Sequence, residues 1–449
     1  MRIYKARPVV RAVALVAAGS LVLTACGAGG NEDEGGGGGS AAEVEGDTTG
    51  VTDTTIKIGT HMPLTGRAAP GYSTIPQGTQ AYFEYVNANG GICDREIEYV
   101  VENDEYIPSN TDAVTKKLVL QEEIFAMLGG LGTPTHRTVV PFLNEQEVPD
   151  LFVSSGALQW NNPEEAPYTF GWQPNYTVEG KVMAQYIADE LPDAKVGIFG
   201  QGDDFGEDGA AGVTQILGDQ VVAEAEYDPT NPESVGPAIQ QLQQAGADTV
   251  VMFSVPAFTA LANLAMLRLN YDPQLFISNV GSDATLVGAL IANFSKNAVS
   301  GAGALEGVYT TKYIPTVEEP DNEWIQLFQQ AWEEHGENDE PLNNFRVYGM
   351  SQAYTLVSAL ARTCDNLNRQ ALVATLEEEG SEMTGPWLAP LEYSEESHRG
   401  ITGVQVVQIE DGAPVQRTEV QTTDDGDGPL EEYTEGAGDV PENGVPTAE

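Results

Sequence analysis

The chain has 449 residues, 41% of them hydrophobic and 20% charged, which is enough to bury a sizeable core and too long for one ordinary domain. Acidic residues number 68 against 20 basic ones, for a formal net charge of −48. A field of that sign repels nucleic acid phosphates and anionic lipid headgroups, so neither is expected as a partner surface.

The chain opens with Arg2, Lys5, Arg7 and Arg11, then an apolar run from Ala12 to Leu23 too short to span a bilayer. Leu23-Thr24-Ala25-Cys26 closes that run. Basic, apolar and small residues in this order read as a bacterial lipoprotein signal over residues 1–25, with the Cys26 sulfur as the lipidation site. Export to the outer face of a cell membrane, held there by lipid alone, removes most cytosolic enzymes from contention. Residues 26–52 are mainly Gly, Ser, Thr, Asp and Glu, with an unbroken glycine run from Gly35 to Gly39, and read as a flexible tether.

Strand and helix patterns then alternate. Thr55 to Gly59 is a β-type run, and Gly78 to Ala88 has helical spacing that Gly90-Gly91 stops. Strand Glu96 to Val101, helix Asn110 to Gln121, strand Ile124 to Leu128, helix Thr138 to Glu147 and strand Leu151 to Ser154 complete a first series. A second series starts with helix Val178 to Leu191 and strand Val196 to Phe199. It continues through helix Gly209 to Leu217, strand Val221 to Ala225, helix Val235 to Ala245, strand Thr249 to Phe253, helix Phe258 to Leu269 and strand Leu275 to Ser278. Two such series predict an α/β protein of two doubly wound, parallel-sheet lobes, with ligands bound beyond the strand carboxyl ends. After about Arg417 the composition turns to Asp, Glu, Gly and Pro, which predicts a disordered acidic tail over 418–449.

Few motifs carry chemistry. Gly200-Gln201-Gly202-Asp203-Asp204-Phe205-Gly206 follows a strand, but its third glycine is one place late and two acids occupy the pyrophosphate position. It reads as a tight turn, and no cofactor is expected. The four histidines, His61, His136, His335 and His398, lack ligand spacing, so no metal is expected either. Thr133-Pro134-Thr135 and Ser154-Ser155-Gly156 follow adjacent strands. Small and hydroxyl residues there can face a carboxylate at low steric cost. A secreted hydrolase using Ser154 or Ser155 is the rival reading, although no histidine stands in a motif marking a triad partner. With Cys26 assigned, Cys93 and Cys364 are an even pair in an oxidising compartment, which points to a disulfide, with two free buried thiols as the alternative.

Several segments carry a family resemblance. Ile56-Lys57-Ile58-Gly59, Met62-Pro63-Leu64-Thr65-Gly66 and Asn87-Ala88-Asn89-Gly90-Gly91-Ile92 resemble the opening of the leucine/isoleucine/valine-binding protein family. So do Leu131-Gly132-Thr133-Pro134-Thr135, Gly171-Trp172-Gln173-Pro174-Asn175-Tyr176 and Asp203-Asp204-Phe205-Gly206, in order along the chain. The resemblance implies a type I periplasmic-binding-protein fold with a three-crossover hinge. It assigns 53–172 and 309–384 to lobe 1, and 173–308 and 385–417 to lobe 2. It implies a monomeric solute-binding subunit of an ATP-driven importer, with a small carboxylate-bearing ligand and a membrane permease as partners. A ligand-sensing ectodomain of the same fold is the alternative.

By the same resemblance Tyr72 supplies an aromatic wall. Thr133, Thr135, Ser154, Ser155, Gly156 and Ala157 form the carboxylate loops, and Phe205 is the aromatic of lobe 2. A second family aromatic falls near Val255-Pro256 and is absent. The acid that pairs with a ligand ammonium falls near Asn279-Val280, where there is none, and Asp283 is the nearest carboxylate. Enclosing an ammonium without a partner charge is costly, which favours an uncharged or aromatic tail over an α-amino group.

Overall fold

The computed structural model describes residues 45–337, 340–436 and 438–448. The signal, Cys26 and most of the expected tether lie outside the described residues. Lobe 1 is built on five parallel strands: β1 (Thr55–Met62), β2 (Glu96–Asn103), β3 (Ala126–Leu128), β4 (Asp150–Val153) and β5 (Thr169–Gly171). Their spatial order is β2-β1-β3-β4-β5. Ile56 and Ile58 of β1 are fully buried, because helices cover both faces of such a sheet. Helix Ile75–Ala88 starts with a proline in its first turn and ends at Gly90-Gly91, both at positive φ.

Lobe 2 holds β6 (Val196–Gln201), β7 (Val221–Tyr227), β8 (Thr249–Phe253), β9 (Gln274–Ile277) and β10 (Tyr309–Lys312), all parallel. Every residue of β8, Thr-Val-Val-Met-Phe, is buried, as its place inside the sheet requires. The chain returns to lobe 1 for helices Glu323–His335, Asn344–Thr363 and Arg369–Glu379, and a hairpin of β11 (Leu391–Ser394) and β12 (Ser397–Ile401). It crosses a third time into β13 (Gly403–Glu410), antiparallel to β10, then β14 (Ala413–Gln416), β15 (Val420–Thr422) and β16 (Glu431–Tyr433). The expected two lobes and three crossovers are therefore present. A bridge joins Cys93, in the turn after helix Ile75–Ala88, to Cys364 at the end of helix Asn344–Thr363, both in lobe 1.

Three expected boundaries are corrected. Residues 309–312 belong to lobe 2, since β10 pairs with β9 and β13. Residues 391–401 belong with lobe 1: Tyr393 OH donates to the Gly171 carbonyl at 2.6 Å, and the His398 ring stacks on Phe170 at 3.7 Å. The acidic tail is packed. Tyr82 OH donates to the Gly444 carbonyl at 2.7 Å, and Trp324 Nε1 donates to that of Gly438 at 2.8 Å. Composition alone missed those long-range partners. The end of the expected tether is likewise held, by an Asp47–Arg369 ion pair at 2.7 Å. No helix among the described residues is long and apolar enough to cross a membrane.

Candidate functional site

Between the lobes lies a cavity of about 190 Å³ walled from both sides and from the crossovers. Its floor in lobe 1 is the strand-end loop Leu131-Gly132-Thr133 and Ser154. Gly132 sits at φ 105°, and a Cβ there would meet Thr135 Oγ1 and the Tyr106 ring at 2.4 Å, so only glycine lets this loop pass beneath the ring. Phe152 in β4 is held at φ 60°, beside a shift in the β4–β5 register. That strained bulge comes just before Ser154.

Six of the ten ligand residues expected from the sequence line the cavity: Tyr72, Thr133, Ser154, Phe205, Asn279 and Asp283. The other four support it from behind. Ser155 Oγ shares a hydrogen bond with Thr133 Oγ1 at 2.7 Å, and Thr135 Oγ1 donates to the Leu131 carbonyl at 2.6 Å. Gly156 packs against Pro174 and Tyr176, where a Cβ would come within 2.6 Å of the Pro174 carbonyl. The Ala157 N–H donates to Ser155 Oγ at 3.3 Å. In the structure each of the four is turned into the loop's own hydrogen bonding or packing and stands behind the cavity wall.

Asp283 is also reassigned. Its carboxylate caps helix Ala284–Phe294 by accepting from Leu286 N–H at 2.8 Å, and accepts from Asn344 Nδ2 at 3.3 Å. Ser154 Oγ donates to Gln352 Oε1 at 3.3 Å. No imidazole is among the hydrogen-bond partners of Ser154 or Ser155. The nitrogens of His136 are committed to Asp150 at 2.8 Å and to His61 at 2.8 Å. The histidines that looked scattered thus include two that meet, but in a line with carboxylates. Among the described residues no group of three or more His, Cys, Asp or Glu could hold a metal ion.

Sequence reasoning did not assign Tyr106, Gln173, Tyr176, Thr310, Lys312 or Tyr348, all of which line the cavity. Gln173 and Tyr176 stood inside a motif already singled out, so that signal was available. Thr310 and Tyr348 come from distant segments brought in by the crossovers. Burial raises the Tyr106 and Tyr72 phenols well above their ordinary value and pushes Tyr176 up to about 12, so these hydroxyls are neutral donors. The Tyr176 ring lies 4.4 Å from Phe205, and Tyr72 packs edge-on against Phe345 at 5.8 Å. Two residues that line the cavity, Gln173 and Thr310, each carry a buried polar atom, Nε2 and Oγ1, with no partner among the described residues. Buried polar groups are nearly always hydrogen-bonded, so these two point to something that enters the cavity.

The lobes meet along one rim of this space. Arg137 of lobe 1 pairs with Asp204 of lobe 2 at 3.1 Å, and Gln159 Nε2 donates to the same carboxylate at 2.7 Å. The Leu158 N–H donates to Asp208 Oδ2 at 2.8 Å.

Two such lobes, three crossovers and a cavity walled by both define the type I class of binding proteins. Residues 55–414 match the profile of the periplasmic binding protein family, and this chain belongs to it, as a relative of the leucine/isoleucine/valine-binding type. It is 24% identical to the Leu/Ile/Val-binding protein homolog 1 of Brucella suis over 363 residues, covering 80% of this chain and 91% of that relative. Among solved structures it is similar to a fatty acid ABC transporter substrate-binding protein from Thermomonospora curvata. That match has a TM-score of 0.72 and 22% identity, and covers 84% and 95% of the two chains. It is also similar to a branched chain amino acid ABC transporter from Thermus thermophilus with bound valine. There the TM-score is 0.71 with 18% identity, covering 83% and 98%.

Proposed function

We propose that the chain is the extracytoplasmic solute-binding subunit of an ABC importer, tethered through lipid on Cys26, and that it binds a small carboxylate-bearing solute between its lobes. The observation that carries this reading is that two residues lining the cavity, Gln173 and Thr310, hold polar atoms, Nε2 and Oγ1, with no partner among the described residues. A carboxylate brings acceptors for the Gln173 amide and for the hydroxyls of Thr133 and Ser154. Tyr72 and Phe205 flank its apolar part from opposite lobes. A solute that touches both walls favours the closed form by its differential affinity for it, and closure excludes water. The closed lobes then present one surface to the permease, and no covalent bond is made or broken. The kinship with both an amino acid transporter and a fatty acid binding protein supports a carboxylate and leaves its tail open.

A thermal-shift screen with amino acids, aromatic acids and short dicarboxylates tests this reading, because a ligand that binds only the folded state raises its melting temperature. At least one carboxylate should raise it, and Gln173→Leu should abolish that rise. A shift that survives Gln173→Leu undiminished would place the solute elsewhere. Membrane fractionation of Cys26→Ala tests the anchor: the variant should leave the membrane fraction.

A further inference from the structure

The acid expected near Asn279-Val280 is absent from the cavity wall, yet a carboxylate stands one layer behind it. Glu179, in helix Tyr176–Glu190, is fully buried. It accepts from Ser278 Oγ at 2.8 Å, from the Asn279 backbone N–H at 2.7 Å, from Asn279 Nδ2 at 2.7 Å and from Thr311 Oγ1. All of these donors are neutral, and among the described residues no cation pairs with it. Burial pushes the Glu179 carboxyl up, and the Thr311, Asn279 and Ser278 hydrogen bonds pull it back toward the ionised form.

This network fixes the direction of an amide. A carboxylate only accepts, so Asn279 must turn its NH₂ to Glu179. Its carbonyl Oδ1 then has no hydrogen-bond partner among the described residues, and Asn279 lines the cavity. A parallel relay orients Gln173. The Gln352 amide donates to the Phe152 carbonyl at 2.7 Å and to Tyr348 OH at 3.2 Å, and Tyr348 OH donates to Gln173 Oε1 at 3.1 Å. That leaves Gln173 Nε2 as the free donor. The wall thus offers a donor at the crossover and an acceptor, backed by a buried anion, on lobe 2. Three charged groups line the cavity as well: Lys312 pairs with Glu319 at 3.0 Å, Asp283 caps its helix, and Glu318 accepts from Asn344 Nδ2 at 3.3 Å.

We infer that Glu179 is a specificity-determining positioning residue: through Asn279 it selects a solute that brings a hydrogen-bond donor, best a cationic amine, to lobe 2 while its carboxylate meets Gln173. The preference for an uncharged tail drawn from the missing acid is thereby reversed, because the negative charge is recessed and not absent.

The inference rests on the cleft being the solute site, and the test separates the two. Isotope labelling of asparagine in the full chain reads the Asn279 side-chain amide without any solute. Protection from solvent exchange is expected in the wild type and its loss in Glu179→Gln; a freely exchanging wild-type amide overturns the inference. Calorimetry then uses two matched pairs, leucine with isocaproate and phenylalanine with hydrocinnamate. The wild type should prefer an amine-bearing member by about tenfold or more, the size of one hydrogen bond to a charged partner. Glu179→Gln should bring that ratio to about one without weakening the deaminated member. Asn279→Ser, which keeps Glu179 but lacks the carbonyl, should give the same collapse and decides the matter if Glu179→Gln does not fold. An unchanged ratio, an equal loss of both members, or a wild-type preference for the deaminated acid overturns the selectivity. If none of the four compounds binds while the amide is protected, the carboxylate reading of the cleft fails, and the selectivity role falls with it.

Discussion

Beneath its side of the cleft, lobe 1 buries Asp104, His61, His136 and Asp150 in one line of hydrogen bonds, at 2.9, 2.8 and 2.8 Å. Beneath the other side, lobe 2 buries Glu179 and Lys181 on the same helix and keeps them apart. Glu179 takes neutral donors, as described. Lys181 Nζ lies 2.8 to 3.0 Å from Thr423 Oγ1 and the carbonyls of Asp424, Gly426 and Gly428, which share its three N–H groups, and pairs with the exposed Asp424 carboxylate at 3.5 Å. In lobe 1 the buried acids already have ring N–H partners, so the cluster has nothing to gain from a solute and serves as a fixed platform. In lobe 2 the anion lacks a cation, and its effect reaches the cavity through Asn279. On the reading proposed above, lobe 1, whose buried acids are hydrogen-bonded to histidines, positions the solute, and lobe 2, whose buried anion takes only neutral donors, discriminates among solutes.

The most disruptive way to test that contrast is to break the line in lobe 1. Asp150 leans wholly on Oδ2, which accepts from His136 at 2.8 Å and Thr169 Oγ1 at 2.9 Å, because its Oδ1 has no partner. Burial holds His61 below the usual imidazole range, against the pull of Asp104. His136→Ala should therefore strand a buried carboxylate and cost about 3–5 kcal/mol by denaturant unfolding. A cost below about 1 kcal/mol, that of an ordinary hydrogen bond, would show that Asp150 does not depend on His136 as its buried partner.

A smaller loss is expected in lobe 2, where Lys181 holds a loop of the acidic tail. Lys181→Met should cost about 1–3 kcal/mol, the price of buried acceptors left unmade. The loss should show first as faster proteolysis or hydrogen exchange near residues 423–428, with the cavity intact. If the variant instead loses solute binding before the tail opens, the buried cation and anion of lobe 2 are coupled after all.

Much of this was legible in the sequence, and what was hidden shares one cause. The strand ends Leu131-Gly132-Thr133 and Ser154-Ser155 stood out because small and hydroxyl residues after apolar runs are unusual enough to notice. The Cys93–Cys364 pair follows from counting cysteines once export is expected. Glu179 and Lys181 are not singled out within the helix expected over Val178 to Leu191, since nothing local distinguishes a buried acid from an exposed one. Their burial depends on Thr311, Ser278 and the tail, between 99 and 247 residues away. The tail read as disordered for the same reason: its glycines and acids have no core of their own, and they are ordered by Lys181, Tyr82 and Trp324 from elsewhere.

The smallest effect is expected at the seam, where the acids of lobe 2 meet lobe 1. Asp208 accepts the Leu158 N–H across the lobes, and its pKa is pushed up to about 6 from an ordinary 3.8. Burial is the main cause; the Leu158 hydrogen bond opposes it, and the nearby Asp204, Glu207 and Asp203 carboxylates add to it. Between those two values the folded protein holds a proton that the unfolded chain has lost. Folding stability from this group therefore rises as pH falls from neutral through about 6 and levels off below the unfolded value. At neutral pH the ionised carboxylate is a small liability at the seam. Asp208→Asn keeps an acceptor for the Leu158 N–H and removes the charge. The variant should be slightly more stable than the wild type at neutral pH, and the difference should vanish on acidification through that window. Thermal unfolding of both proteins across the same pH series checks this, because titrating groups not coupled to Asp208 cancel in the comparison. A constant difference at all pH values would mean that Asp208 is not held up by burial. A variant that is less stable throughout would mean that the charge itself binds the lobes together, and lobe 2 would then present an attractive acid to lobe 1 at the rim as well as a recessed one to the solute.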